Sequence, residues 1–373
     1  MSEKIYDLIV LGGGPGGYRA AERAGALGKS VLLIEKANLG GVCLNWGCIP
    51  TKSLLHSAKL YRHMLEGEAF GVIAPQVRFD LPAAMKWKGK VIETLHKGIA
   101  YQMKRFGVEV ISGEGIVASG GPGGIAVEVN GSVYNGAKLI LATGSSPFIL
   151  PIDGIESPNV LTSTEILEVE SIPASLVIIG GGVIGMEFAS LFSSLGTVVH
   201  VVEMLDEIVP VLDGEISKAL RKASKGITFY LGARVESVGE NGVRFSKDGK
   251  SETIEGELIL MSVGRRPNTT GLGLEAAGLD IGRTGVNVDE QMRTNLPDVY
   301  AVGDVTGKSL LAHSAYRMAD VAVKNLYGTG DQMRYHAIPS VVYTIPEAAS
   351  CGLTEAEATE RGIAVRTATL PMK

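Results

Sequence analysis

Four consecutive apolar residues, Leu8 to Leu11, run directly into Gly12-Gly13-Gly14-Pro15-Gly16-Gly17. A short, continuously apolar run closed by glycine predicts a strand buried on both faces. A helix rich in small residues follows, and a second apolar run, Val31-Leu32-Leu33-Ile34, ends on Glu35. The same succession returns far downstream. Leu176-Val177-Ile178-Ile179 enters Gly180-Gly181-Gly182-Val183-Ile184-Gly185, and Val198-Val199-His200-Val201-Val202 ends on Glu203. Each copy reads strand, glycine turn, helix, strand, acid, with the same interval from Gly17 to Glu35 as from Gly185 to Glu203. This alternation predicts an α/β fold with two Rossmann-like domains.

The spacing G-x-G-x-x-G, met between a strand and a helix, carries a mechanism for holding a dinucleotide. Gly12 and Gly180 make the tight turn, and Gly14 and Gly182 let the backbone approach a pyrophosphate. Gly17 and Gly185 pack helix on strand, and the helix N-terminus faces the phosphates. Glu35 and Glu203 are each expected to accept hydrogen bonds from an adenosine ribose. A solvated strand end would explain either acid alone, but not the repeated interval. Two dinucleotides are expected. Glu203 would repel a 2′-phosphate, and Met204-Leu205-Asp206-Glu207 offers no arginine to hold one, so the second site favours NAD over NADP.

Composition narrows the class. The 373 residues contain 49 glycines without a collagen period, an excess that belongs in turns and nucleotide loops. A formal charge of −5 argues against nucleic acid or an anionic membrane as the main partner. No apolar run approaches the ~18 residues that span a bilayer, and Met-Ser-Glu-Lys-Ile-Tyr-Asp does not resemble a cleavable signal. A cytoplasmic protein is expected.

Two of the three cysteines lie five apart in Gly40-Gly41-Val42-Cys43-Leu44-Asn45-Trp46-Gly47-Cys48-Ile49-Pro50-Thr51-Lys52. Zinc sites need further ligands, and no second cysteine pair exists, so no metal is expected. Two inert thiols or a redox-active disulfide remain as readings. Local electrostatics favour the second. Pro50 suits the first turn of a helix, which sets Cys48 at its positive end with Lys52 one turn in. Both features stabilise a thiolate.

The cysteine motif, placed after an N-terminal G-x-G-x-x-G, resembles the flavin-dependent pyridine nucleotide–disulfide oxidoreductases. Further segments match along essentially the whole chain: Ala142-Thr143-Gly144-Ser145, Gly264-Arg265-Arg266-Pro267-Asn268, Tyr300-Ala301-Val302-Gly303-Asp304 and Leu311-Ala312-His313. The resemblance implies FAD at residues 1–147 and 273–335, NAD at 148–272, and the start of an α+β dimerisation domain at 336–373. It implies that Thr143, Gly144 and Gly264 close the two nucleotide sites. Asp304 would reach the flavin ribityl chain, Ala312 its pyrimidine edge and Gly115 its adenine end. Cys43 would exchange with a dithiol, Cys48 would face the flavin, and Lys52 would pair with Glu187. The implied activity is NAD⁺-dependent oxidation of a dihydrolipoyl group on a carrier protein of a 2-oxoacid dehydrogenase or glycine-cleavage complex, by a homodimer. Another disulfide or mercuric reductase, or a non-catalytic flavoprotein, are the rival readings.

Three departures accompany the resemblance. Met318-Ala319 stands where Glu-Gly is frequent, and Cys351 stands where a small apolar residue is usual. Cys351 is expected to be a buried hydrophobe. The family's His–Glu base, supplied by a neighbouring subunit, matches none of His56, His63, His96, His200, His313 or His336. It is expected beyond Lys373, in the remainder of the third domain.

Overall fold

The computed structural model describes residues 4–120, 124–240 and 242–371. The chain forms two compact units from interleaved segments. One takes residues 1–53, 83–148 and 265–334; the other takes 54–82, 149–264 and 335–373.

In the first unit the apolar runs pair as a five-stranded parallel sheet. Its order is Val299–Ala301, Leu139–Leu141, Leu8–Leu11, Val31–Glu35, Val108–Ser112. The continuous apolar pattern has its reason in the layers. Helix Pro15–Ala26 packs on this sheet. Ile9, Leu11, Leu32 and Ile34 meet Val117, Val127 and Val129 of a second sheet in one core. That second sheet runs Ile5–Tyr6, Ser132–Gly136, Ile125–Val129, Gly115–Ser119. It takes in part of the glycine-rich stretch 113–124, of which residues 121–123 lie outside the described part. Asn130-Gly131, both at positive φ, makes the two-residue turn that joins Val129 to Ser132.

Helix Ala312–Tyr327 lies against helix Pro15–Ala26. Tyr18 and Tyr316 share a hydroxyl hydrogen bond with their rings edge to face. Arg19 and Arg23 both donate to Asp320. Met318 is fully buried, and its Sδ accepts the Gly303 amide at 3.1 Å. The thioether thus supplies an acceptor at the position where the resemblance led us to expect a glutamate.

The second unit repeats the first sheet's order in four of its five strands, while its edge strand, Val160–Leu161, comes first in the chain where Val299–Ala301 comes last. Val160–Leu161, Leu258–Met261, Ser175–Ile179, Val198–Val202 and Ile227–Tyr230 run parallel. A three-stranded antiparallel sheet, Arg234–Gly239, Gly242–Lys247 and Lys250–Ile254, supplies Val243 and Phe245 to the shared core. The later segment adds the hairpin Pro339–Val342 with Ala348–Cys351 and a short helix, Glu355–Glu360. Thr354 and Glu357 cap that helix reciprocally.

The unit boundaries differ from the expected 147/148 and 272/273 divisions. Arg265–Pro267 pairs antiparallel with Ser145–Pro147, and Leu272 lies in the first unit's core, so the chain re-enters that unit at Arg265. Residues 54–82 and 335–373 group with the second unit. Cys351 is a correction: it is exposed. Side chains alternate along its strand, and the face carrying Ala349 and Cys351 is left open among the described residues.

The two glycine turns have separate steric requirements. A Cβ at Gly17 would lie 1.7 Å from the Gly12 carbonyl oxygen, and one at Gly185 would lie 2.1 Å from that of Gly180. Helix and strand can approach this closely only through glycine. Gly17→Ala is expected to destabilise the protein by about 3 kcal/mol, read as a lower midpoint in urea. An unchanged midpoint would contradict this packing.

Candidate functional site

Gly14 is the N-cap of helix Pro15–Ala26 and Gly182 that of helix Val183–Ser194, both extended and without a capping side chain. Their first amides are therefore available to an external acceptor. The middle glycines also leave room. At Gly14 the nearest atom to a notional Cβ is Gly41 Cα at 3.8 Å, and at Gly182 nothing lies within 4 Å. The protein's own packing does not require glycine here. An uncapped helix end with a cradle that a side chain would fill fits the pyrophosphate of a dinucleotide in each unit.

The acids frame these cradles in the same way twice. Glu35 Oε2 accepts the Gly13 amide at 2.6 Å and Oε1 the Ala37 amide at 2.8 Å. Glu203 Oε2 accepts the Gly181 amide at 2.6 Å and Oε1 the Leu205 amide at 2.8 Å. Each carboxylate is locked by backbone amides, and each oxygen keeps a lone pair for a ribose hydroxyl. These amide contacts are absent from the sequence reading, which gave the acids a ligand only. Gly115 has a packing reason of its own, since a Cβ there would lie 2.5 Å from Leu11 Cδ1.

The cysteines lie in the first unit on two consecutive helices, the second of which runs on past Ser53. Cys43 belongs to Gly41–Trp46, and Cys48 opens Cys48–Glu66, so the expected helix start is found at the thiol itself. The turn before Cys43 needs both its glycines. Gly40 has φ +97, and Gly41, at φ +56, packs so that a Cβ would lie 2.6 Å from Gly14 Cα. Asn45 Nδ2 donates to the Leu39 and Gly41 carbonyls and ties that turn to the helix. Cys43 and Cys48 are both half-buried thiols, not joined to each other. A hydrogen bond with Cys48, then burial, pushes the Cys43 thiol far up, while the charge of Lys52 opposes the shift.

The other first-unit residues converge through the paired crossover strands. Thr143 Oγ1 donates to the Asn268 carbonyl at 2.7 Å, Asn268 Nδ2 returns a bond to the Thr143 carbonyl at 2.9 Å, and the Asn268 amide reaches the Gly144 carbonyl. Asp304 is the second residue of a short 3₁₀ turn, Gly303–Thr306, and accepts from Ser145 Oγ at 2.6 Å. Burial raises its pKa, while Ser145 and Arg265 oppose the rise. Ala312 is the first residue of its helix, where amides lack intrahelical partners. Ser145, Arg265 and Asn268 stood within motifs already quoted, but only their contacts give them roles.

In the second unit Glu187 is 4% exposed, and its Oε1 accepts the Tyr343 amide at 3.1 Å. Ser190, one turn on, accepts the Ile345 amide at 3.0 Å. The segment after Val342 therefore anchors the glycine helix, a partner no local pattern announces. Gly264, at φ +122, is the last residue of this unit's middle segment and has open space beside it. Among the described residues no helix is long and apolar enough to cross a membrane.

Residues 6–319 match the pyridine nucleotide-disulphide oxidoreductase family. The chain belongs to that family. Residues 338–373 match its dimerisation domain, as the sequence led us to expect. A dihydrolipoyl dehydrogenase of Acholeplasma laidlawii is 44% identical over 334 residues, covering 88% of this chain and 98% of the relative. One of Chlamydia muridarum is 40% identical over 379 aligned positions, covering 99% and 80%. Among solved structures, LpdA of Mycobacterium tuberculosis superposes with a TM-score of 0.88 at 30% identity, covering 96% of this chain and 81% of that one. The HOCl-induced flavoprotein disulfide reductase RclA of Escherichia coli gives 0.85 at 29% identity, covering 98% and 82%.

Proposed function

We propose that the protein is an NAD⁺-dependent dihydrolipoyl dehydrogenase. FAD is held by the first unit's cradle (Gly12, Gly14, Gly17, Glu35) with Thr143, Gly144, Asp304 and Ala312. NAD is held by the second (Gly180, Gly182, Gly185, Glu203). The observation that carries the reading is the thiol pair: Cys43 and Cys48 within hydrogen-bond reach, Cys48 at a helix N-terminus, in the unit that also bears an open glycine cradle. The relatives' names supply the substrate class.

The thiol pair does the exchange. In the oxidised enzyme a substrate thiolate attacks Cys43 Sγ, the Cys43–Cys48 bond breaks, and Cys48 leaves as a thiolate. The second substrate thiol loses its proton and attacks the substrate sulfur bound to Cys43. The lipoyl disulfide closes, and Cys43 leaves and takes up a proton. Two electrons now rest on the enzyme's thiol pair, with the Cys48 anion favoured by the helix end and by Lys52. FAD, when bound, takes these electrons and passes them on as hydride to NAD⁺. The carrier is a lipoylated protein of a 2-oxoacid dehydrogenase or glycine-cleavage complex, and the enzyme works as a cytoplasmic homodimer.

The test is NADH formation by the full-length, FAD-loaded protein from dihydrolipoamide and NAD⁺. A protein whose flavin is reduced by NADH but which exchanges no electrons with lipoamide would overturn the reading. Cofactor choice is checked separately. NADH is expected to outperform NADPH, and Glu203→Gln to narrow that preference about tenfold, because the carboxylate repels a 2′-phosphate. Equal wild-type rates with both cofactors would contradict the assignment of Glu203.

A further inference from the structure

Three pieces of the first unit assigned to the flavin meet at one buried place. A Cβ at Gly16 would lie 3.0 Å from Val302 Cγ2 and 3.7 Å from Ala315 Cβ. Helix Pro15–Ala26, which starts at the glycine cradle, therefore touches both the strand end before Asp304 and helix Ala312–Tyr327. Gly303, between Val302 and Asp304, is left-handed at φ +75, and a Cβ on it would lie 3.3 Å from that of Ala315. Met318 stands one turn after Ala315, on the same face of its helix, and is fully buried.

At Gly303 the chain leaves the sheet. The Val302 amide still donates to the Leu141 carbonyl, but the next residues turn into Gly303–Thr306, whose first amides have no partner within the turn. Met318 Sδ accepts the Gly303 amide at 3.1 Å. Inside the turn, Thr306 Oγ1 donates to the Gly303 carbonyl at 2.8 Å. The turn that carries Asp304 is thus tied at its first residue to helix Ala312–Tyr327. The tie lies about 9 Å along the helix axis from Ala312. A thioether accepts without donating, and it adds no charge beside the Asp304 carboxylate.

We propose that Met318 is a positioning residue for the flavin: by holding the Gly303 amide, its thioether fixes the Asp304 turn against the helix that presents Ala312. The inference rests on reading the first unit as the FAD site. Met318→Leu nearly keeps the volume and removes the acceptor. The freed amide then draws the turn away until it meets water, and FAD binding has to restore it. Full-length Met318→Leu protein stripped of its flavin is therefore expected to rebind FAD about tenfold more weakly than wild type. Met318→Gln returns a neutral acceptor and should rebind it within about threefold of wild type. FAD titrations of the three proteins measure this. The second readout is the midpoint potential of the bound flavin. The first amides of helix Ala312–Tyr327 favour the negative charge that reduction brings. Met318→Leu should lower that potential by about 30 mV, the equivalent of tenfold in a two-electron couple, and Met318→Gln should return it. Wild-type affinity and potential in Met318→Leu would overturn the proposal. Equal losses in both variants would also overturn it, and would assign Met318 to packing alone. If Met318→Leu does not fold, a folded Met318→Gln protein that binds FAD about tenfold more weakly overturns it instead. A wild-type protein that takes up no FAD would overturn the reading of the first unit, and the proposal with it.

Discussion

Cys43→Ser is expected to lower dihydrolipoamide oxidation by about 10⁴-fold or more, with electron transfer from NADH to an artificial dye retained. A serine oxygen cannot form or exchange a disulfide, so the first bond the substrate must break no longer exists. The substitution is sterically mild. Cys43 sits within helix Gly41–Trp46, whose entry is fixed by Gly40, Gly41 and the two side-chain bonds of Asn45, none of which involves the thiol. FAD retention should therefore match wild type. Cys48→Ser should abolish turnover equally and also remove the thiolate–flavin absorbance. Parallel assays of lipoamide and dye reduction on both variants decide the matter. Lipoamide turnover within tenfold of wild type in Cys43→Ser would place the exchange elsewhere.

Gly182→Val and Gly185→Val should fail in opposite ways. At Gly182 the backbone is extended, with φ −70 and ψ −176, which a β-branched residue adopts readily. No protein atom lies within 4 Å of the added Cβ. The fold should lose no more than about 1 kcal/mol, but the side chain would stand where the pyrophosphate approaches. NADH-dependent flavin reduction should fall about 100-fold in kcat/KM. At Gly185 the new Cβ would lie 2.1 Å from the Gly180 carbonyl oxygen, so the second unit should destabilise before any ligand is added. Thermal melts beside NADH titrations separate the two. Similar melting of both variants would show that the second glycine serves packing and not a ligand.

Much of the candidate site could be read from short spacings. A strand ending in Gly12 needs a left-handed residue there, a helix starting after Gly14 needs free amides, and an acid closing the next strand returns to the turn. Each relation involves residues on adjoining elements, so apolar period and glycine position were enough to find it twice. Cys48 at a helix start followed from Pro50 for the same reason. Cys351 was misread because burial depends on what covers a face, and alternation along four residues does not say which face is covered.

The sequence by itself determined the duplicated α/β plan, the glycines that cannot be replaced, the two acids and the paired thiols. Those features are set by local backbone sterics and by the periods of strand and helix. Only the tertiary structure decided that four parallel strands share one order in both units while the fifth, at the edge, comes last in the chain in the first and first in the second. It also decided that residues 54–82 and 335–373 join the second unit, and that the Tyr343 amide holds Glu187. The Arg265–Ser145–Asp304 chain belongs to the same class. Its members are joined across more than a hundred residues because two strands happen to pair. Buried ions and orphan amides find partners wherever packing brings them, and no local pattern encodes that choice.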